Sequence, residues 1–284
     1  SFSNEPVDIW DIKKLDSEMV EDEIKKNNTS TISSDIKLEN NNQTISSFDI
    51  IGKQEMQLIG LYDPQENNLD IDMWKNTDGD QIKSIIKKIR SLNLSKDASE
   101  IYKVALLTNS YLPNINIDKK EFISFKQDFL IKNKDLDLIK NFLEKNKGIE
   151  GNQKIIKFYL DTFLVEGQET EACSLFNDLN IFVSNNYIDK FKIYCLIKLE
   201  KREDAQLYLD LKKEDNFKDK SFEKIFSVLM GYEDKKDIEI SDKSILDFHL
   251  SRLTSTNFNY VPGENTSKLI WKYLSSNNLL EKVN

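Results

Sequence analysis

Glycine and proline are scarce, eight and four in 284 residues. A β-sandwich or barrel uses such residues at every hairpin, so these folds are excluded and helix is the expectation. The prolines are Pro6, Pro64, Pro113 and Pro262. No ring interrupts the stretch between Pro113 and Pro262, which is expected to be almost wholly helical. Histidine occurs once, as His249, and cysteine twice, as Cys173 and Cys195. That leaves no zinc-ligand spacing and almost no material for a nucleophile–base pair. Glycines are isolated or form turns, so no phosphate-cradling loop is present. No apolar run approaches the roughly eighteen residues of a membrane span. The net charge is −9, with lysines interleaved among carboxylates and no basic block to neutralise a row of phosphates. A metal, a cofactor, a nucleic-acid partner and a membrane span are all outside expectation.

The chain opens Ser1-Phe2-Ser3, the small-x-small form of residues before a signal-peptidase cut, followed by the polar Asn4-Glu5-Pro6. An exported chain with a removed leader is one reading, and an artificial boundary fits the same letters. Residues 27–47, rich in Asn and Ser, bury too little to offset their ordering entropy and read as a linker. Two short words flank it, Val7-Asp8-Ile9-Trp10 and Ile71-Asp72-Met73-Trp74. Trp10 and Trp74 are candidate anchors for a partner groove; the alternative is a Trp that folds back on the nearest helix. Residues 1–75 are thus expected to form an extended, largely irregular arm.

Asp70, Asp72, Asp78 and Asp80 invite a calcium reading, but an EF-hand register with Gly79 at its sixth position places Trp74 and Ile85 at ligand positions. Neither ligates calcium. Asp78 and Asp80 instead precede the periodic run Ile82, Ile85, Ile86, Ile89 as helix-start residues. Further on, apolar stripes recur at helical spacing, among them Phe122, Phe125, Phe129 and Ile156, Tyr159, Leu160, Phe163. Three windows, LIKNKDLDLIKNFL (130–143), FLVEGQETEACSLF (163–176) and LIKLEKREDAQLYL (196–209), align without a gap, since 163 − 130 = 33 and 196 − 163 = 33. Each runs from the end of one helix through a charged turn into another, where Ile139, Ala172 or Ala205 precedes a bulky pair. A helix pair of this kind cannot bury its apolar face alone, so neighbours must stack. The period and the Gly167 to Ala172 offset resemble tetratricopeptide repeats. The expected fold is an all-α solenoid of antiparallel helix pairs over residues 76–284.

The order of LYDPQENNLDIDMW, ASEIYKVALLT, GQETEAC, YCLIKLEKREDAQLYLDL and SILDFHLSRL, spanning roughly residues 55–275, resembles an uncharacterised alphaproteobacterial family of exported helical-repeat proteins. Its Ala-rich members are sometimes labelled antifreeze-like from composition, and this chain lacks that alanine content. The resemblance implies a repeat fold and an envelope location, periplasmic or exported, and no activity.

In a stacked array Cys173 and Cys195 lie on neighbouring helices. A disulfide between them is expected, worth about 3 kcal/mol for a loop of this size; two buried thiols are the alternative. His249 reads as packed on a helix flank. The functional expectation is a non-catalytic scaffold or adaptor that binds a protein or peptide in the bacterial envelope. A structural subunit of an envelope assembly, or a glycan-cleaving enzyme with two carboxylates about 5–10 Å apart, are the other readings.

Overall fold

Most helices of this chain begin at a side chain able to accept the exposed amides of a first turn. The computed structural model describes residues 57–148, 151–178 and 185–283, and its elements all belong to one unit, Lys53–Asn284. Asp78 accepts from the Asp80 and Gln81 amides and starts α1 (Gly79–Ser91), as its place ahead of the isoleucine run implies. Ser95 starts α2 (Lys96–Leu107), Asp118 starts α3 (Lys119–Asn133) and Asp135 starts α4 (Leu136–Lys145). α5 (Gln153–Val165) and α6 (Glu169–Asp178) follow. Asn185 caps α7 (Asn186–Lys198), and α8 (Arg202–Glu214) comes next. Asp219, Ser244 and Ser267 cap α9 (Lys220–Leu229), α10 (Ile245–Thr254) and α11 (Lys268–Ser276).

The chain is therefore mostly helical. α3, α5, α7 and α9 begin at residues 119, 153, 186 and 220, and α4, α6 and α8 at 136, 169 and 202. The turns between the first three pairs each place one residue in the left-handed region, Lys134 (φ 55°), Gly167 (φ 73°) and Glu200 (φ 61°). Glycine reaches that region without a Cβ penalty, and the other two are held there by the same reversal. Ile139, Ala172 and Ala205 are all fully buried.

α5 is apolar nearly all round, with Ile155, Ile156, Tyr159, Leu160, Leu164 and Val165 buried, and a helix of that kind belongs inside. It packs against α3, α4, α6 and α7, and also against α10 and α11. The last two helices thus return to the middle of the chain instead of extending a line of nearest neighbours. The expected continuity of helix also breaks after α9. Residues 233–237, Glu-Asp-Lys-Lys-Asp, offer nothing to bury, and the stretch from Gly231 to Ser244 is irregular. A segment without an apolar face gains nothing from packing as a helix.

The arm expected over residues 1–75 reaches the described residues only from residue 57, and there it is part of the helical unit. β1 (Leu58–Ile59) pairs antiparallel with β2 (Ser110–Tyr111), and Ile59 is fully buried. A two-residue strand is too short for periodicity to announce. Gly60 lies so close to the α2–β2 connection that an added Cβ would fall 2.3 Å from Asn109 Cα. Asn146, beyond the end of α4, clamps it from the other side. Its Oδ1 accepts the Gly60 N–H (3.1 Å), and its Nδ2 donates to the Gly60 carbonyl (2.8 Å). Asn146→Ala leaves both groups buried and unpaired and is expected to cost about 2–4 kcal/mol. Hydrogen exchange is the check: the Gly60 amide should lose protection while α5 amides keep theirs.

Candidate functional site

Glu169 begins α6, Tyr194 and Lys198 lie on α7, His249 and Arg252 on α10 and Tyr273 on α11. These residues form one hydrogen-bonded chain. The Arg252 Nε–H donates to the Tyr273 hydroxyl (2.9 Å), and that hydroxyl lies 2.8 Å from His249 Nδ1. On the other side, His249 Nε2 is 3.0 Å from the Tyr194 hydroxyl, which donates to Glu169 Oε2 (3.0 Å); Lys198 Nζ donates to the same oxygen (2.6 Å).

The two ends fix the protons between them. Arginine only donates and an ionised carboxylate only accepts. Tyr194 must then point its proton at Glu169 and accept from Nε2–H, while Nδ1 accepts from Tyr273. His249 is neutral with its proton on Nε2. Burial pushes its pKa down to about 4, against the opposing pull of Glu169. Burial also raises the Tyr194 and Tyr273 hydroxyls. For Glu169, burial favours the neutral acid, but Lys198 and the Tyr194 hydroxyl outweigh it and hold the carboxyl below its usual value. His249, Tyr194 and Tyr273 are 1%, 3% and 0% exposed, so the chain of groups ties four helices together from within.

The cysteines stand beside it. Cys173 of α6 and Cys195 of α7 form a disulfide with a Cα separation of 5.2 Å. Both are buried, and each follows a member of the polar chain, one turn after Glu169 and one residue after Tyr194. The expected outcome of mass measurement after alkylation is no labelled cysteine without reductant and two with it. Cys173→Ser with Cys195→Ser should cost about 3 kcal/mol in urea unfolding, because the open loop regains entropy.

An open cleft of about 260 Å³ lies elsewhere, lined by Ile89, Arg90, Leu92 and Tyr102 of the α1–α2 region and by Asp128, Phe129 and Lys132 of α3. Asp128 is the one carboxylate in its lining, and it is paired with Arg90 and Lys154. Of the two tryptophan anchors, Trp10 lies outside the described residues. Trp74 is half-buried, its ring 5.6 Å from that of Phe122, within a cluster that includes Ile82, Ile86 and Leu106. The structure thus places Trp74 against the fold, the arrangement in which the Trp turns back on its own helices. Among the described residues, no group of three or more potential ligands is arranged to hold a metal ion, and no helix is long and apolar enough to cross a membrane.

The surface feature that sequence reasoning did not single out is on α8. Its buried side carries Ala205 and Leu209, while Leu207 and Leu211 are 60% and 50% exposed. Helical spacing sets Glu203, Asp204, Asp210 and Glu214 on the same outward arc as the two leucines. Compared with known proteins, the chain matches no family model, no curated protein and no solved structure.

Proposed function

We propose that the chain is a non-catalytic helical-repeat interaction protein, a scaffold or adaptor built as a tetratricopeptide-like stack of helix pairs. Support for the stack comes from helix starts 33 or 34 residues apart, and from contacts that run α3 to α5, α5 to α7 and α7 to α9, with α4 on α5 and α6 on α7. First helices packing on first helices, with each second helix filling the joint, is the geometry such repeats require. The side that would form the inner groove is taken up. α10 and α11 lie against α5, and α10 also holds α7, through Lys190 to Asp247 (2.6 Å) and Tyr194 to His249.

Docking therefore belongs to an outer face, and the observation that carries the proposal is the exposed α8 stripe. Two leucines at least half exposed, side by side and ringed by carboxylates, form a ready contact for an apolar and cationic partner. The buried disulfide supports placement in an oxidising compartment, the periplasm or beyond. A carboxylate-based enzyme has weaker support, since the cleft lining offers one carboxylate, already paired.

The test is photo-crosslinking in the native cell from a reactive residue placed at position 207. One stoichiometric adduct indicates the structural-subunit form of this reading, and several substoichiometric adducts the adaptor form. No adduct from this face overturns it.

A further inference from the structure

The stripe on α8 has a chemical complement on the same chain. On α11, Leu269 and Trp271 are 45% and 43% exposed. Helical spacing places them on an arc with Lys268 and Lys272, opposite the buried Ile270, Tyr273 and Leu274. None of the nine residues of α11 is a carboxylate. On α8, by contrast, four carboxylates share the outward arc with the two exposed leucines, so a cationic neighbour complements them. α8 cannot dock on α8, because that would oppose carboxylates to carboxylates. α1 is basic as well, but two of its four cations are held, Lys83 by Asp80 and Glu121 and Arg90 by Asp128, and it carries no aromatic ring for the leucines to pack on. Of the two α11 lysines, Lys272 makes an exposed bridge to Glu166, and such a bridge exchanges at little cost.

We propose, resting on the interaction reading above, that α8 of one copy docks on α11 of a second copy. Leu207 and Leu211 pack on the Trp271 ring, and the α8 carboxylates meet Lys268 and Lys272. Across the outward arc of α11, Lys268 and Lys272 lie between Trp271 and Leu269, so each lysine adjoins an apolar side chain, and tryptophan is among the residues on which small interfaces depend. The helices are thirteen and nine residues long. They cover less than the roughly 800 Å² per partner of a standard interface, so the association is micromolar or weaker. The contact sets charge against charge at an exposed rim, so salt weakens it.

Sedimentation velocity of the full chain, from about 1 μM to about 1 mM, reads this directly. The expected result is a sedimentation coefficient that rises with concentration and rises less at high salt. Leu207→Lys and Trp271→Glu each weaken association roughly tenfold or more, about the value of one well-packed interface residue. Reversing α8 (Glu203→Lys with Asp210→Lys) or α11 (Lys268→Glu with Lys272→Glu) weakens it separately, and mixing the two reversed proteins restores it. All these positions are exposed, and unchanged melting profiles will show that the variants fold. A chain that stays monomeric throughout, or reversed chains that associate as the parent does, overturns the proposal. A monomeric chain whose residue 207 crosslinks to another protein in the cell sinks self-docking alone and leaves the interaction reading in place. A monomeric chain that crosslinks to nothing removes both.

Discussion

Between pH 7 and pH 10.5 the unfolding free energy of the parent chain is expected to rise against that of Lys126→Met by up to about 5 kcal/mol. Lys126 of α3 is completely buried. Its ammonium donates to the Leu106 and Thr108 carbonyls at 2.6 and 3.3 Å and lies 5.4 Å from the Phe122 ring centroid. It therefore satisfies carbonyls at the end of α2, where the helix dipole favours a cation. Carbonyls and a ring do not replace water around a full charge, and burial pushes the pKa from 10.5 down to about 7.

The unfolded chain keeps its proton up to pH 10.5, while the folded chain releases it near 7. Over that window the unfolded state binds more protons, so stability increases with pH. The benefit is complete above the unfolded value and lost as pH falls through the folded one. Methionine has similar length and no charge, so its stability lacks this slope, although it leaves two carbonyls without a partner at about 1–3 kcal/mol each. At pH 6 these two effects oppose and the variant lies near the parent; at pH 10 it lies well below. Urea unfolding of both proteins in steps of pH decides the matter. Curves that run parallel from pH 7 to 10 would show that the ammonium is not desolvated as its burial implies.

Lys126 also marks the limit of reading this sequence. Spacing in α3 selects Phe122, Phe125 and Phe129 as the inward stripe, yet the buried residues are Phe122, Ile123, Lys126, Gln127 and Leu130. The helix is turned so that two polar side chains face inward. Lys126 closes α2, and Gln127 donates to the Gly151 carbonyl and to Asn152 Oδ1, both at 3.0 Å. Hydropathy assigns both to the solvent face, because their partners are three backbone carbonyls and one side-chain amide oxygen supplied by segments 18 to 25 residues away. Where partners are local, the sequence is legible. Asp78 and Asp135 announce helix starts correctly, since a cap needs only an acceptor two or three residues before an amide.

The cysteine pair was legible for a different reason: a reading that makes α6 and α7 neighbours also brings their cysteines within reach. His249 was not. Its neighbours, Tyr194 and Tyr273, come from helices 55 and 24 residues away, and nothing in a lone histidine on a helix indicates them. The α8 stripe was in view throughout, but its Leu-Asp-Leu run reads equally well as core. Only the burial of Ala205 and Leu209 on the opposite side shows that Leu207 and Leu211 face outward.

His249 gives the second large effect, of the same sign as that of Lys126 but in a more acidic window. Burial holds its folded pKa at about 4, and the unfolded chain takes up the proton near 6.5. Between those values the unfolded state binds more protons, so stability present above pH 6.5 falls by about 3 kcal/mol as pH drops to 4. Protonation also breaks the order of the polar chain. A charged imidazole donates from both nitrogens, so Nδ1 can no longer accept from Tyr273, whose hydroxyl already accepts from Arg252. Glu169 adds to the loss, since a carboxyl held below its usual value contributes stability that disappears in acid. His249→Leu should cost about 1–3 kcal/mol at pH 7, where two hydroxyls each lose a partner. The gap to the parent should then close as pH approaches 4, because leucine has no proton to gain. As the chain has a single histidine, its imidazole proton resonances are unambiguous in an untagged sample. A midpoint near 4 is expected by NMR titration, and a midpoint near 6.5 would mean that the ring reaches water and the four helices are not joined through it.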